Sequence, residues 1–258
     1  MNTLIQNGVT LLKSDKISVP HGFSTRHGGV STLPHLASLN LGFNCGDDRA
    51  NVMENYRRLT SAVGVNTDFI RAAQIHSATV LTVDNAFLAD YDFHTPPECD
   101  GFVTALRDVS LTVRTADCVP VLAHDPVSGV IGAFHAGWRG AVGGILAAGV
   151  SAMEKLGAEV QNIRVTVGPC IAPCCFEVGE DFIAAYTEVL GSDFASRFIV
   201  GRYADLPGTC LALLKEAGIL AENIDISGEC TCCNQDKFFS HRGSGGKRGL
   251  MAAVIGRD

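Results

Sequence analysis

Seven short apolar runs with strand character lie in the first 135 residues of this 258-residue chain, and short turns join most of them. Apolar and β-branched residues in runs of this length, bounded by turn-forming residues, predict β-strands. This part of the chain is therefore expected to form sheet, with strands over residues 19–25, 69–75, 78–84, 100–106, 110–117, 119–125 and 130–135.

Helical patterns lie between and after these strands. Residues 49–65 predict a helix, because apolar side chains recur there at helical spacing behind Asp47 and Asp48 as an N-terminal signal. Strands clustered in the first half and helices interleaved in the second predict an α+β fold. No repeat or linker divides the chain, so residues 1–258 are expected to form a single domain. The remaining expected helices are at 139–156, near 180–190 and near 209–217, and the remaining strands are at 163–169, 238–242 and 250–256.

Composition and charge exclude several classes of protein. A chain with 47% hydrophobic residues can bury a sizeable core. A formal charge of −7 without any Lys/Arg cluster argues against a nucleic-acid partner and leaves small-molecule chemistry as the default. The sequence shows no export signal and no run of ~18 apolar residues, so we expect a cytoplasmic protein without membrane association. A monomer or a small homo-oligomer is expected.

Ten cysteines resemble a disulfide framework, but in a long chain without an export signal they are more often thiols, metal ligands or nucleophiles. We interpret them as thiols. Six fall into two tight groups that do not supply two paired CxxC knuckles, so a structural zinc formed by both groups together is an alternative with weak support. The groups are Cys170, Cys174 and Cys175, and Cys230, Cys232 and Cys233.

Side chains that bind metals lie at the ends of three apolar runs. His76 lies at the junction of two runs, Cys118 interrupts two others, and His135 closes the run at 130–135. Strand ends that face one edge of a sheet can converge. One cysteine and two histidines then form a candidate metal-binding set.

These three residues have three interpretations. As a zinc site, they supply three ligands and leave the fourth position for water or substrate, as catalytic zinc does. As a nucleophile site, Cys118 is the thiolate, His135 or His76 is its base, and Asp117 orients the base. In the third interpretation Cys118 is a buried hydrophobic residue and the histidines are ordinary hydrogen-bonded side chains, because the long gaps between the three are not by themselves a metal signature.

Seven segments distributed from about residue 20 to the end carry a resemblance to a known family. They are STRHGGVS, SLNLG, QIHSATV, TADCVPVLAHD, FHAGWRG, GPCIAPCCFEVG and FFSHRG. Together they resemble the YfiH family, also called the laccase-domain or polyphenol oxidase family. The resemblance implies a single-domain α+β sandwich of mixed β-sheet covered by helices, similar to the toxin-deamidase-like fold.

The same resemblance implies an activity and a cofactor. It implies that zinc is bound by His76, Cys118 and His135, which are then also the catalytic residues. It implies a purine nucleoside phosphorylase that takes phosphate and adenosine, inosine, guanosine or methylthioadenosine, together with adenosine deaminase activity. The older name of the family keeps copper as a second, less favoured cofactor.

Several polar residues are candidates for binding substrate. Arg26 and Asn40 are candidates for ribose or phosphate contacts, with turn formation as the alternative. Gln74 is a candidate for contacting the base or for orienting His76. Arg242 is a candidate anion ligand, with a solvated surface arginine as the alternative.

The C-terminal segment departs from the family pattern. The family often has tyrosine after FFS where this chain has His241, which adds a fourth potential ligand or fills the same space. Near the final strand Leu250 stands where arginine is expected, and Arg248 is displaced from that position. Substrate contacts in this segment are therefore the least specified.

The stretch AFHAGWRGAVGGI, residues 133–145, places a strand end beside the start of a helix. If the helix begins near Arg139, its unpaired backbone N–H groups and the guanidinium form an anion site beside a metal on His135. This corner fits the attack of phosphate on a nucleoside. Trp138 is expected either to stack on a base or to anchor the core.

Two other activities remain open at this point. A Cys-His hydrolase or deamidase requires Cys118 to be free and nucleophilic, so metal content discriminates it from the zinc enzyme. A laccase-type copper oxidase requires many histidines in HxH pairs. The chain has eight histidines and not one HxH pair, which argues against that oxidase.

Overall fold

The computed structural model describes residues 1–65 and 69–257. Strands and helices alternate irregularly along these residues, as the α+β prediction requires. The strands are β1 (Asn2–Gln6), β2 (Val9–Lys13), β3 (His21–Ser24), β4 (Phe69–Ile70), β5 (Val80–Thr82), β6 (Gly101–Thr104), β7 (Val109–Thr115), β8 (Val119–His124), β9 (Ile131–Ala136), β10 (Arg164–Val167), β11 (Ile199–Val200), β12 (Tyr203–Ala204), β13 (Ile224–Ile226) and β14 (Met251–Arg257). The helices are α1 (Arg49–Val63), α2 (Asn85–Asp90), α3 (Trp138–Val142), α4 (Ile145–Lys155), α5 (Glu180–Leu190), α6 (Ser192–Phe198) and α7 (Leu206–Glu216), with a 3₁₀ turn at Ala221–Asn223.

Two mixed six-stranded sheets form the centre of the molecule. The first sheet has the strand order β1-β2-β3-β14-β7-β4, and the second has the order β13-β10-β8-β9-β6-β5. Neighbours are antiparallel except β4 with β7 in the first sheet, and β13 with β10 and β5 with β6 in the second. Strands β11 and β12 form a separate pair. The expected sandwich of mixed β-sheet is thus formed by two sheets.

Side-chain alternation along β14 explains why the two sheets pack face to face. Met251, Ala253 and Ile255 pack in a core that also contains β6, β8 and β9 residues of the second sheet. Ala252 and Val254 point to the opposite face and pack against α1. Successive strand residues face opposite sides, so an unbroken apolar run is buried on both faces.

The second sheet is also buried on both faces. Leu122 of β8 faces the first sheet, whereas its neighbour Val121 faces α4 and α7. Helix α1 covers the outer face of the first sheet, so the molecule has four layers in the order helix, sheet, sheet, helices. Each fully buried Leu, Ile, Val or Phe side chain in these cores contributes about 1.5–3 kcal/mol.

One predicted helix is two helices in the structure. Residues 139–156 were expected to form a continuous helix, but Gly143 and Gly144 separate α3 from α4. Gly144 has φ of 91°, in the left-handed region, and serves as the N-cap of α4. A continuous right-handed helix is incompatible with that conformation.

The strand expected at 238–242 is not formed: residues 238–240 are irregular, and His241 and Arg242 belong to a turn. Phe238 and Phe239 are buried in the core between the sheets, so their apolar character reflects packing from a loop.

The hairpin between β1 and β2 was not among the predicted elements, although the sequence contains a signal for it. The turn is formed by Asn7-Gly8, where both residues have positive φ. An Asn-Gly pair between apolar runs favours this type of two-residue turn. No helix among the described residues is long and apolar enough to cross a membrane.

The buried histidine at the end of β8 generates a test of the fold. His124 is 3% exposed, and its Nδ1 has no hydrogen-bond partner in the part of the chain that the structure describes. Burial lowers the pKa of His124 to about 4, although Asp125 acts in the opposite direction. Below the pKa of an unfolded histidine, about 6.5, the unfolded chain gains a proton that the folded chain does not.

We therefore expect stability to fall as pH decreases from about 6.5 to about 4, with His124 contributing roughly 3 kcal/mol. The His124→Gln variant should show a smaller fall, measured by urea unfolding across this pH range. The matched variant His27→Gln, which removes an exposed histidine, should keep the wild-type fall. Equal pH dependence in wild type and His124→Gln would show that burial does not lower the pKa of His124.

Candidate metal centre and substrate cavity

Four strand ends meet at one end of the second sheet. Strand β8 begins opposite the end of β9, with Val119 paired to Ala136. Strand β6 runs antiparallel to β9 and parallel to β5, so β6 and β5 also begin at this end. The residues that immediately precede β5, β6 and β8, and the last residues of β9, therefore lie close together.

This arrangement brings His76, Cys118 and His135 into one group. One potential ligand atom from each residue lies within 4.8 Å of those from the other two. The Sγ of Cys118 is 3.8 Å from Nε2 of His76, and the two imidazole rings meet edge to face with centroids 5.0 Å apart. His76 is exposed, Cys118 is half-buried and His135 is buried. The expected convergence of the three residues is present.

A buried carboxylate that is not among the predicted site residues holds two of these residues. Asp100 directly precedes β6 and is fully buried. Its Oδ1 accepts hydrogen bonds from the backbone N–H of His76 at 3.0 Å and from Nδ1 of His135 at 2.8 Å. Its Oδ2 accepts from the backbone of Ile75 and from both N–H and Oγ of Ser77. These five hydrogen bonds fix the loop before β5 against the end of β9.

The contact with Asp100 also determines which nitrogen of His135 can bind a metal. An ionised carboxylate only accepts hydrogen bonds, so Nδ1 of His135 carries the proton. Nε2 is left free to face Cys118 and His76. A carboxylate that orients a ligating histidine through its second nitrogen is a common feature of zinc sites.

Electrostatics within the group favour a charged thiolate. Burial alone would raise the pKa of the Cys118 thiol, but His135 and His76 outweigh burial and lower it to about 6. Burial alone would lower the pKa of His135, but Cys118 and Asp100 raise it to about 9. Burial likewise opposes ionisation of Asp100, whose pKa is lowered to about 2 by hydrogen bonds from His135 and Ser77.

Gly137 leaves space beside the three ligands. A Cβ at this position would lie 2.6 Å from Cδ2 of His76, 3.3 Å from Sγ of Cys118 and 3.6 Å from Cε1 of His135. Any side chain here would therefore clash with the ring of His76 and crowd the Sγ of Cys118. Two imidazoles and a thiolate around such a space are the donor types that zinc binds, and three protein ligands leave one position of a tetrahedron open.

Asp117 does not orient the imidazole as the nucleophile interpretation required. Its Oδ1 accepts a hydrogen bond from Oγ1 of Thr231 at 2.6 Å, and its Oδ2 accepts one from the backbone N–H of Arg242 at 2.7 Å. Asp117 therefore fixes the C-terminal loops, and Asp100 performs the orienting role. The sequence signal that could have identified Asp100 is its position at the start of a strand-like run, as for Cys118.

A cavity of about 540 Å³ opens at the metal-binding group. This volume is typical of sites that bind small molecules. Besides the three potential ligands and Asp117, the lining combines apolar and polar side chains: Asn44, Cys45, Gln74, Arg114, Thr115, Ala116, Trp138, Ile171, Phe176, Leu206, His241, Arg242, Arg248 and Leu250.

Two arginines in the lining have unused donors. The Nε atoms of Arg114 and Arg248 are buried and have no hydrogen-bond partner within residues 1–65 and 69–257. A buried N–H of a guanidinium without an acceptor costs free energy, and both arginines place a positive charge beside the cavity. Arg114 carries no distinguishing signal in the sequence, because a polar residue inside a strand-like run is ordinary. Arg248 reaches the cavity although it is displaced from the family position.

Two of the five predicted substrate-binding residues line the cavity. The amide of Gln74 forms two hydrogen bonds with the backbone of Arg114, so it ties the loop before His76 to β7. The guanidinium of Arg242 donates to the backbone carbonyls of Cys175 and Glu177. Both side chains thus hold the walls in place.

The other three do not line the cavity. Arg26 donates hydrogen bonds to three backbone carbonyls, and its guanidinium stacks over the ring of Phe239. Asn40 is fully buried, and its side chain forms hydrogen bonds with the backbone of Gly42. For these two the turn-forming alternative agrees with the structure. Arg139 is exposed, with its guanidinium 4.3 Å from the ring centroid of Trp138.

Trp138 and His241 both face the cavity. Trp138 is half-buried and packs against Phe182 with ring centroids 4.7 Å apart, so it anchors the core while one part of the ring borders the cavity. His241 is exposed and lies outside the group of three potential ligands.

Comparison with known proteins supports the resemblance found in the sequence. The family described as multi-copper polyphenol oxidoreductase laccase matches residues 20–258. A purine nucleoside phosphorylase from Deinococcus radiodurans is 41% identical over 252 residues, which cover 96% of this chain and 93% of that protein. The chain belongs to this family. This laccase-domain chain is also similar to adenosine deaminase RL5 from an unknown prokaryotic organism, which is 35% identical over 231 residues that cover 85% of this chain and 87% of that protein.

A solved structure supports the fold of this laccase-domain chain. The crystal structure of the hypothetical protein YfiH of Bacillus licheniformis has a TM-score of 0.87 and 31% identity, and the match covers 98% of this chain and 97% of that one. The α+β architecture of two mixed sheets with helices is therefore that of the laccase-domain family. Both relatives named above are enzymes of purine nucleosides by name.

The role of Asp100 in this laccase-domain chain gives a direct test. The Asp100→Asn variant loses the charge and one acceptor oxygen, so the His76 loop and His135 are held less firmly. We expect its zinc affinity at this group to fall about 10–100-fold, measured by competition with a chromophoric chelator. The Cys118→Ala variant removes one ligand, so the zinc signal that it loses is the part that belongs to the group of His76, Cys118 and His135.

Asp84→Asn serves as the matched control, because Asp84 caps α2 and lies outside the cavity lining. It should retain the wild-type affinity. Wild-type affinity in Asp100→Asn would refute the positioning role of this carboxylate.

Proposed function

We propose that this protein is a zinc-dependent purine nucleoside phosphorylase that acts on adenosine, inosine, guanosine and methylthioadenosine, with accompanying adenosine deaminase activity. The observation that carries the proposal is that one cavity holds both a three-donor metal group and two arginines with unpaired buried Nε atoms. The names of the relatives from Deinococcus radiodurans and of adenosine deaminase RL5 agree with the two activities.

We propose zinc and not copper as the metal. Two imidazoles and one thiolate with an open fourth position are the donor set of catalytic zinc. The family description implies several copper ions, but the group of His76, Cys118 and His135 is compact enough for one ion only. When bound, zinc supplies a Lewis acid at one end of the cavity.

The cavity suits a nucleoside in size and polarity. Its volume of about 540 Å³ lies in the range of sites for small organic ligands. Trp138, Ile171, Phe176 and Leu250 provide apolar and aromatic surface on which a flat purine can lie. The ribose and the scissile bond then lie between that surface and the metal group.

We assign the phosphate to Arg114 and Arg248. Each contributes a positive charge and a buried N–H that lacks an acceptor. Phosphate accepts several charge-assisted hydrogen bonds at once, which is the geometry that guanidinium groups match. This assignment replaces the corner at Arg139, which is exposed and outside the cavity lining.

The chain's own residues would maintain the reactive geometry. Asp100 holds the proton on Nδ1 of His135 and keeps Nε2 directed at Cys118 and His76. Gln74 and Asp100 together fix the loop that carries His76. The arginines offset the charge of phosphate as it approaches the sugar, which is the electrostatic part of catalysis.

The same group supports a second candidate function. His135 and His76 lower the pKa of Cys118 to about 6 against the effect of burial, as nucleophilic cysteines require. A Cys-His hydrolase of this kind would work without metal.

We further propose that residues 1–258 form a single domain, since β14 near the end of the chain lies between β3 and β7 in the first sheet. The likeness to the toxin-deamidase-like fold, the cytoplasmic location and the state as a monomer or small homo-oligomer remain predictions.

Product analysis tests the proposed reactions. With inosine as substrate, we expect hypoxanthine and ribose 1-phosphate only when phosphate is present, because phosphate is the nucleophile. Adenosine should yield inosine without phosphate, since water is the other reactant. Chromatography of products from zinc-loaded and zinc-free enzyme reads both reactions.

Cys118→Ala should lose both activities together with the zinc of this group. Base release that proceeds without phosphate and zinc would contradict the phosphorylase proposal. If activity survives zinc removal and is abolished by thiol alkylation, the Cys-His hydrolase is the correct function.

The phosphate assignment has its own test. Arg248→Gln should raise the KM for phosphate about 10–100-fold, because one charge-assisted hydrogen bond is worth about 1.5–3 kcal/mol. The KM for inosine should change much less. Arg139→Gln removes an exposed arginine from the neighbouring helix and should leave the phosphate KM near the wild-type value. If Arg139→Gln raised the phosphate KM and Arg248→Gln did not, the phosphate would have to be assigned to Arg139 and the start of its helix.

A further inference from the structure

A second cluster of thiols lies outside the His76, Cys118 and His135 group. Cys174 and Cys175 follow β10, and Cys230 and Cys233 follow β13. The four Sγ atoms all lie within 4.8 Å of one another. The Sγ of Cys233 is 3.5 Å from that of Cys174 and 3.4 Å from that of Cys175.

These distances describe thiols around a common centre. Sulfur atoms in a disulfide are about 2.05 Å apart, so none of these pairs is bonded. Four thiolates at about 2.3 Å from one zinc ion lie about 3.8 Å from each other. The Sγ atoms of this cluster are close to that spacing, at 3.4 and 3.5 Å for two pairs and within 4.8 Å for all of them. The cluster is compact enough for one ion at its centre.

The residues from Cys170 to Phe176 form the first cysteine segment, and those from Cys230 to Arg242 form the second. The backbone brings these two segments together independently of the thiols. Strand β10 is parallel to β13, and a bridge between Cys170 and Cys230 continues that pairing. The backbone N–H of Ala172 donates to Sγ of Cys230 at 3.4 Å, a contact that stabilises a thiolate ligand. The separation of Cys230 and Cys233 in sequence is that of a CxxC pair.

We propose that Cys174, Cys175, Cys230 and Cys233 bind one zinc ion in a tetrahedral four-thiolate site, separate from the His76, Cys118 and His135 group. Four protein ligands leave no position for water or substrate, so the ion is structural. Tetrahedral sulfur sites select zinc over the harder divalent cations.

The ion would brace one wall of the substrate cavity. The first cysteine segment carries Ile171 and Phe176, and the second leads to His241 and Arg242, all of which line the cavity. Arg242 already joins the segments through its hydrogen bond to the carbonyl of Cys175. A zinc ion between the segments adds a link on the side of the wall that faces solvent, where Cys174 and Cys233 are exposed.

Metal counting with ligand identification tests this site. The full-length protein is purified under anaerobic, reducing conditions, and zinc per chain is measured by elemental mass spectrometry. Cys118→Ala should retain one zinc ion, and X-ray absorption of that variant should show four sulfur ligands at about 2.3 Å. Since this variant lacks the other group, the result does not depend on the proposed function.

Variants of the cluster provide the complementary measurement. In the Cys118→Ala background, Cys233→Ser should lose the remaining zinc, whereas Cys232→Ser, one residue away and outside the group of four, should keep it. Cys174→Ser is a second test at an exposed position, where a serine leaves packing unchanged. Its thermal unfolding should resemble that of zinc-stripped Cys118→Ala.

Three results would overturn the proposal. One is a Cys118→Ala protein without bound zinc, and another is a first coordination shell that contains nitrogen or oxygen. The third is peptide mapping that finds disulfides among the four cysteines of the anaerobically purified protein. Zinc at only this site in wild type would instead support the proposal while contradicting the zinc assignment at His76, Cys118 and His135.

Discussion

The buried carboxylate of Asp100 is the interaction on which the candidate active site depends. It accepts five hydrogen bonds, from the loop that carries His76 and from the imidazole of His135. His76 has φ of 61°, a backbone conformation that costs free energy in a residue with a side chain. The backbone hydrogen bonds to Asp100 offset that cost. A charge buried without such partners would be strongly unfavourable, so the carboxylate and the loop stabilise each other.

The layered packing determines where such a site can form. The central strands of both sheets are buried on both faces, so the middle of neither sheet is open to a ligand. The ends of the strands are the places where polar side chains can meet and still reach solvent. In the second sheet the beginnings of β5, β6 and β8 and the end of β9 lie together, because β9 runs antiparallel to its two neighbours. The metal group and the cavity occupy that end.

The sequence was sufficient for features that depend on local pattern. Apolar runs predicted most of the central strands, and polar residues at their ends predicted the convergence of His76, Cys118 and His135. It was insufficient where distant segments decide the outcome. Asp100 and Arg114 look ordinary in sequence, since their importance comes from what the sheet pairing places opposite them. The apolar pair Phe238-Phe239 resembled a strand because burial in a loop and burial in a sheet select the same residue types.

Asp117 connects the candidate active site to the thiol cluster. It directly precedes Cys118 and has φ of 86°, so its backbone is held in an unfavourable region by its contacts. Its carbonyl accepts from Ile171 in the first cysteine segment, and its carboxylate accepts from Thr231 in the second and from Arg242 beyond it. The conformation of the residue next to the proposed metal ligand therefore depends on the position of both cysteine segments. Any interaction that fixes those segments, such as an ion among their thiols, also fixes the thiol of Cys118 relative to the two imidazoles.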